Sequence, residues 1–173
     1  MNELEILRRI QALEREIERM KSHSHGQYET GIKTARIIEA APGYQGFAIL
    51  VAANEDIKQG QVVCWLQGAS GADNKVNLVP TTGNSLDMPI GVAVADINAN
   101  ATGWIIVAGY AMALPMTSVD PVRGYVIYCS ATEAGYLDQA ASGATAQHWR
   151  EVGHWCADGT GNGALTLATL HFN

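Results

Sequence analysis

The fold is decided by the stretch Pro89-Ile90-Gly91-Val92-Ala93-Val94-Ala95-Asp96, because a similar stretch returns as Glu151-Val152-Gly153-His154-Trp155-Cys156-Ala157-Asp158. The copies lie 62 residues apart (89 to 151), and each has glycine in third place and ends in Ala-Asp. A short apolar run rich in β-branched or aromatic residues and bounded by turn residues is typical of a buried β-strand. The sequence therefore predicts two equivalent β-strands, one in each copy.

Two flanking segments recur in the same order. Gly60–Cys64 resembles Gly124–Tyr128 (60 to 124, an offset of 64), and Gly103–Ala108 resembles Gly163–Ala168 (103 to 163, an offset of 60). We expect two copies of one β unit, packed into a small β-barrel or sandwich, because this buries both apolar faces and limits open edges. The fold class is mainly β, with these candidate strands: Phe47–Ala53, Gln61–Gln67, Lys75–Val79, Ile90–Ala95, Trp104–Ala108, Tyr125–Ser130, Glu151–Ala157 and Ala164–His171.

The first 21 residues have the pattern of a short coiled-coil α-helix. Asn2 and Glu5 match an N-cap followed by an acid that satisfies free amides at a helix start. Apolar residues then recur at spacings of 4, 3, 4 and 3, which is a heptad seam. The seam consists of Ile6, Ile10, Leu13, Ile17 and Met20. A helix this short is not stable alone, so it needs a partner: another copy, or its own β body. The heavily charged faces of the helix favour another copy.

The stretch Arg9-Ile10-Gln11-Ala12-Leu13-Glu14 resembles the Arg-h-x-x-h-Glu motif (h apolar) of short trimeric coiled coils. That resemblance implies that the Arg9 stem covers the seam and that the guanidinium pairs with a Glu14 carboxylate. Ile at position a with Leu at d would by itself favour two strands, whereas Leu7 at e widens the apolar face. We expect a homotrimer with this interface: Ile6, Arg9, Ile10, Leu13, Glu14, Ile17 and Met20.

The net charge of −6 lies on the rest of the chain, because the first 21 residues carry five basic and five acidic side chains. A body without a basic field does not favour nucleic acid as a partner. No apolar run approaches the roughly 20 residues of a membrane span, and the N-terminus does not resemble a secretion signal. We therefore expect no membrane association and assembly in a cytoplasm. Three cysteines without a Cys-x-x-Cys pair indicate free thiols: Cys64, Cys129 and Cys156.

We expect three segments along the chain. They are a coiled-coil helix at residues 1–21, a linker or first strand at 22–45 and a β domain at 46–173. The repeat-like halves of the β domain lie at 60–108 and 124–170.

A resemblance to known proteins is found in the second half. The hairpin-like stretch Gly124–Leu137, preceded by Gly103-Trp104-Ile105 and Leu114-Pro115, resembles a module of tailed-bacteriophage virion proteins. Val152-Gly153 and the closing Leu165–Phe172 fit the later strands of that module. The order of motifs from Gly91-Val92-Ala93 to Tyr128 is also similar to that of small head-decoration proteins.

The resemblance implies a non-enzymatic structural protein of the virion, often trimeric. We expect a homotrimeric fibre or surface appendage of the tail-fibre kind, with an assembly or attachment role and with tail, neck or capsid proteins as partners. One alternative is a capsid head-decoration or cement protein. Another is a carbohydrate-binding module that recognises a host surface glycan.

Two histidine-containing segments are the candidate binding sites. In a trimer, His23 and His25 could present six imidazoles to a transition-metal ion; we adopt the commoner interpretation, a solvated hinge, and expect no metal or cofactor. Exposed aromatic and polar groups around residues 148–154 could contact a sugar or a neighbouring protein. These candidates are His148, Trp149, Arg150 and His154, whereas Trp155 is expected to be buried in the core.

Catalytic patterns are missing from the sequence. It contains no Gly-x-Ser-x-Gly elbow, no His-Glu-x-x-His and no phosphate loop. Asp96 and Asp158 are equivalent in the repeat, but their positions after strands favour turn formation over catalysis. We therefore expect a protein that is not an enzyme.

Overall fold

The computed structural model describes residues 35–66, 75–81, 87–140, 151–160 and 163–172, and these residues form β-strands and turns. Among them, no helix has the length and apolar character that crossing a membrane requires. The coiled coil predicted at residues 1–21 lies outside the described residues. The strands are β1 Ala35–Ala41, β2 Tyr44–Ala53, β3 Val62–Trp65, β4 Lys75–Leu78, β5 Pro89–Ala93, β6 Thr102–Ala113, β7 Val126–Cys129, β8 Leu137–Ala140, β9 Glu151–Trp155 and β10 Thr166–His171.

All ten strands belong to one hydrogen-bonded sheet with the order β1-β2-β4-β3-β5-β6-β10-β9-β7-β8. An additional pairing joins β2 to β6, so β2, β4, β3, β5 and β6 close into a ring that we call barrel 1. Within this ring β2 and β4 are parallel, and the other pairs are antiparallel. Ring closure leaves barrel 1 without an open strand edge of its own.

The second half of β6 forms another ring, barrel 2, with β10, β9, β7 and β8. This ring closes just after β6, where Pro115 forms a parallel bridge with Leu137. The Met116 N–H donates a hydrogen bond to the Leu137 carbonyl oxygen at 2.8 Å. The corresponding bond in barrel 1 runs from the Asn54 N–H to the Val76 carbonyl oxygen at 2.9 Å. Strand β6 therefore belongs to both barrels.

The two barrels repeat the same strand register in the segments where the sequence predicts a duplication. The bulge in the β3–β5 pair falls between Val63 and Cys64, and the bulge in the β7–β9 pair falls between Ile127 and Tyr128 (63 to 127, an offset of 64). Three residue pairs of barrel 1 have counterparts in barrel 2. Val62↔Val92 corresponds to Val126↔His154, Val63↔Gly91 corresponds to Ile127↔Gly153, and Cys64↔Pro89 corresponds to Tyr128↔Glu151. The predicted offsets of 64 and 62 are both correct.

The alignment of the third recurring segment is wrong by three residues. Ala93 pairs with Ile105 in barrel 1, and Trp155 pairs with Ala168 in barrel 2. Because Ala93 and Trp155 are equivalent, Ile105 corresponds to Ala168 (105 to 168, an offset of 63). The predicted offset of 60 would make Ile105 equivalent to Leu165 instead.

The error has a specific cause in the backbone. The sequence comparison matched Gly103 with Gly163, but Gly163 takes the place of Asn100 (100 to 163). Both residues have positive φ, 62° at Asn100 and 71° at Gly163, in the turn before the strand. Asparagine tolerates this left-handed conformation better than other residues with a side chain. Gly103 is needed for a different reason, since a Cβ there would collide with the Ile97 side chain.

Each barrel has its own interior, filled from equivalent positions by different residues. Barrel 1 is lined by Ile49, Val51, Ala53, Val63, Val76, Ala93 and Ile105. The equivalent residues of barrel 2 are Ala111, Ala113, Pro115, Ile127, Leu137, Trp155 and Ala168. Three alanines thus replace two isoleucines and a valine, and Trp155 replaces an alanine. The large indole fills the volume that the alanines vacate, which keeps the interior close-packed; Trp155 is 1% exposed, which confirms the prediction of a buried residue.

All eight predicted strands are present, and the part of the chain that the structure describes contains two more. Strand β1 falls in the segment assigned as a linker or first strand, and β8 was not predicted. Strand β6 is longer than predicted, with 12 residues, because it pairs with β2, β5 and β10.

The three cysteines are free thiols, as predicted. Cys64 and Cys129 are buried on the strands. Burial, together with the nearby carboxylates of Asp87 and Glu55, raises the pKa of the Cys64 thiol to about 11. The Cys64 side chain is therefore a protonated, apolar part of the core at neutral pH.

The equivalent glycines Gly60 and Gly124 provide a matched test of the contact between the barrels. Their φ angles are 82° and 83°. A Cβ at Gly60 would collide with Leu165 and lie 3.0 Å from the Leu114 backbone nitrogen, whereas a Cβ at Gly124 would meet nothing within 4 Å. We expect Gly124→Ala to lower the free energy of unfolding by about 1–2 kcal/mol from backbone strain alone. Gly60→Ala should cost at least about 1 kcal/mol more because of the collision.

Chemical denaturation of the two full-length variants measures this difference. Equal losses of stability, or a larger loss for Gly124→Ala, would show that Leu165 and Leu114 do not pack against the turn at Gly60 as described.

Candidate assembly surface

Most of the residues singled out in the sequence lie outside the described residues. These are the predicted trimer interface, the His-x-His pair and the first three members of the aromatic cluster. They comprise Ile6, Arg9, Ile10, Leu13, Glu14, Ile17, Met20, His23, His25, His148, Trp149 and Arg150. Among the predicted site residues, the structure places His154.

His154 lies in β9, half-buried, and its ring stacks on the ring of His171 in β10. The ring centroids are 5.1 Å apart and the planes meet at 27°. The His171 Nε2 lies 3.0 Å from the Glu151 Oε1. The sequence did not indicate His171 as a partner, because that pairing depends on the register of β9 against β10. Among the described residues, no group of three or more histidine, cysteine, aspartate or glutamate side chains could hold a metal ion.

Asp96 and Asp158 occupy equivalent turns and do not form a carboxylate pair. The Gln59 N–H donates to Asp96 Oδ1 at 2.9 Å, and the Arg123 N–H donates to Asp158 Oδ1 at the same distance. The hydrogen bond from Gln59 lowers the pKa of Asp96, and the hydrogen bond from Lys58, whose Nζ lies 3.2 Å from Oδ2, adds to this effect. Each carboxylate therefore binds the backbone of the loop that precedes the neighbouring strand of its own barrel, β3 for Asp96 and β7 for Asp158.

A row of exposed side chains crosses four neighbouring strands. Ile37 of β1 pairs with Phe47 of β2, Phe47 pairs with Ala108 of β6, and Ala108 pairs with His171 of β10. Directly paired residues project from the same side of a sheet, so these four form one continuous strip, which we call the outer row. Ile37 is 68% exposed and Phe47 is 47% exposed, and both are among the large apolar side chains that the described part leaves open.

The sheet next to the outer row is held by aromatic contacts. Tyr44 and Tyr110 meet edge to face with ring centroids 4.9 Å apart. The Arg36 guanidinium lies 4.0 Å from the centre of the Trp104 ring, a cation–π contact that joins β1 to β6. The outer row thus lies on a braced, multi-stranded platform. A surface of this kind is suited to contact with another macromolecule.

Comparison with known proteins finds a structural likeness. No family model matches the chain, and no curated protein matches it. Among solved structures, it is similar to the head fiber gp8.5 N base of bacteriophage phi29, with a TM-score of 0.51. The likeness covers 72% of this chain and 92% of that chain, at 12% sequence identity. At this identity the likeness concerns the fold.

Proposed function

We propose that this protein is a structural component of a tailed-bacteriophage virion, acting as a homotrimeric fibre or surface appendage without enzymatic activity. The observation that carries the proposal is the fold likeness to a phage head fibre base, which extends over 92% of that chain. The likeness agrees with the resemblance of Gly124–Leu137 to phage virion modules, which rests on the sequence and not on the fold. Assembly occurs in the host cytoplasm, and the partners are other virion proteins.

Of the two virion locations, the head is favoured by the comparison, since the similar structure is described as a head fibre. A head-decoration or head-fibre role therefore takes precedence over the tail-fibre role in this proposal. The carbohydrate-binding alternative depends on the aromatic cluster around residues 148–154. The described member of that cluster, His154, gives it little support, because its ring is covered on one side by His171.

The trimer rests on the heptad seam. Replacing Ile10 and Leu13 by Asp places two carboxylates per chain in the apolar seam, where charge is unfavourable, so the trimer should dissociate into monomers. Native mass spectrometry of the full chain measures the change. The matched control replaces Gln11 and Ala12 by Asp, which adds the same charges at positions b and c on the solvated side of the helix, and should remain trimeric. A wild-type chain that is monomeric or dimeric contradicts the proposal, and a trimer that survives the seam substitutions assigns trimer formation to the β domains.

The virion role is tested on purified particles. Immunogold labelling with antibodies against the full chain should decorate the capsid surface, in clusters of three copies per attachment point. Labels at the tail alone would support the tail-fibre alternative against the head location. Absence of the chain from particles that are otherwise complete would overturn the virion role.

A further inference from the structure

Strand β1 is an edge of the sheet with an uncovered apolar side. Among the described residues it pairs with β2 alone, and its sequence Ala35–Ala41 contains neither proline nor lysine to block a further strand. Ile37 and Phe47, directly opposite each other across β1 and β2, are 68% and 47% exposed. Soluble proteins usually protect such an edge, because an open apolar strand promotes association.

The charges beside this pair are held by partners in the same chain. Glu39 Oε1 accepts a hydrogen bond from the Gly43 N–H at 2.9 Å and so closes the β1–β2 turn. Arg36 alternates with Ile37 along the strand and projects to the other side, where it stacks on Trp104. Because these contacts hold both charged groups in place, neither of them covers Ile37 and Phe47 with a hydrated charge. The surface therefore remains available for an apolar contact.

We infer that the apolar end of the outer row, formed by Ile37 and Phe47, packs against a second copy of this chain. The inference rests on the trimer of the proposed function. The heptad seam ends at Met20, and residues 22–34 connect it to β1, a length that spans at most about 45 Å when fully extended. In three chains joined through the seam, each β1 is tethered to the same seam through residues 22–34, so the effective concentration of β1 near the next copy is high.

The chemistry of the row fits a second copy better than a charged partner. Three of its members, Ile37, Phe47 and Ala108, are uncharged; the fourth, His171, lies beside Glu151 of the same chain, and the β body as a whole has few charges. A contact of this kind gains free energy from apolar burial and needs no complementary charge. It also gives the three β domains a fixed orientation.

Photo-crosslinking tests the contact in the full chain. Phe47→p-benzoyl-phenylalanine keeps an aromatic ring at the site and reacts with whatever lies within a few ångströms of it. We expect a covalent dimer on a denaturing gel, with the second peptide of the crosslink within residues 35–172. Met88→p-benzoyl-phenylalanine is the matched control, since Met88 is 37% exposed and lies outside the row; it should give at least tenfold less dimer.

The outcomes separate this inference from the proposed function. If native mass spectrometry shows a trimer but position 47 gives no dimer, or crosslinks to residues 1–34, or crosslinks no more than position 88, the inference is wrong and the trimer stands. If the chain is monomeric, the trimer of the proposed function fails as well.

A second measurement uses the strength of the assembly. Phe47→Asp should raise the dissociation constant of the full-length trimer at least about tenfold, since burial of one large apolar side chain corresponds to this range or more. Met88→Asp should leave the constant within about twofold. Equal effects of the two substitutions would contradict the contact at Phe47.

Discussion

Strand β6 hydrogen-bonds along both edges, and the whole architecture depends on this double pairing. Its first half closes barrel 1 against β2 and β5, and its second half begins barrel 2 against β10. At Gly109 the neighbouring β2 backbone comes so close that a Cβ would lie 2.8 Å from the Gln45 carbonyl oxygen. The φ of Gly109 is 87°, which L side chains rarely adopt. A side chain at Gly109 would push β2 away from β6 at the point where β10 also docks.

The sharing of one strand explains the composition of the β body. Adjacent residues of β3 are buried in different clusters, Val62 in the larger one and Val63 in the interior of barrel 1. A strand that is buried on both sides has no place for charge, and neither β3 nor β6 carries a charged side chain. The apolar surface that remains exposed is the part of the outer row that lies on β1 and β2. The fold thus produces a charge-poor building block with one apolar surface, which suits assembly better than isolation in water.

The sequence alone revealed the internal repeat, but it did not reveal how far each copy extends. Two of the three offsets are correct because they rest on apolar runs that end at fixed turns. The third is wrong because glycine was matched with glycine, whereas the backbone requires a left-handed residue that Asn100 supplies in one copy and Gly163 in the other. The role of β6 in both barrels was not visible, since a local pattern predicts a strand but not how many strands pair with it.

The candidate surface was even less accessible to prediction. His154 was singled out from its neighbours in sequence, but its contact with His171 arises from two strands that meet through tertiary register. Likewise, nothing near Phe47 in the sequence distinguishes it from Ile49, although one is 47% exposed and the other 4%. Alternation along β2 places both residues on the same side of the strand, so their exposure is decided by the tertiary neighbours of each, and the β2–β6 register shifts between Phe47 and Ala48.

Native-state hydrogen exchange of the β6 amides in increasing denaturant tests the shared strand most directly. If both barrels depend on β6, the amides of Ile105 in barrel 1 and of Ala111 in barrel 2 should exchange through the same global opening, with equal free energies and equal denaturant dependence. Exchange at Ala111 through a smaller opening of lower free energy, while Ile105 stays protected, would contradict the account, because barrel 2 would then unfold without barrel 1.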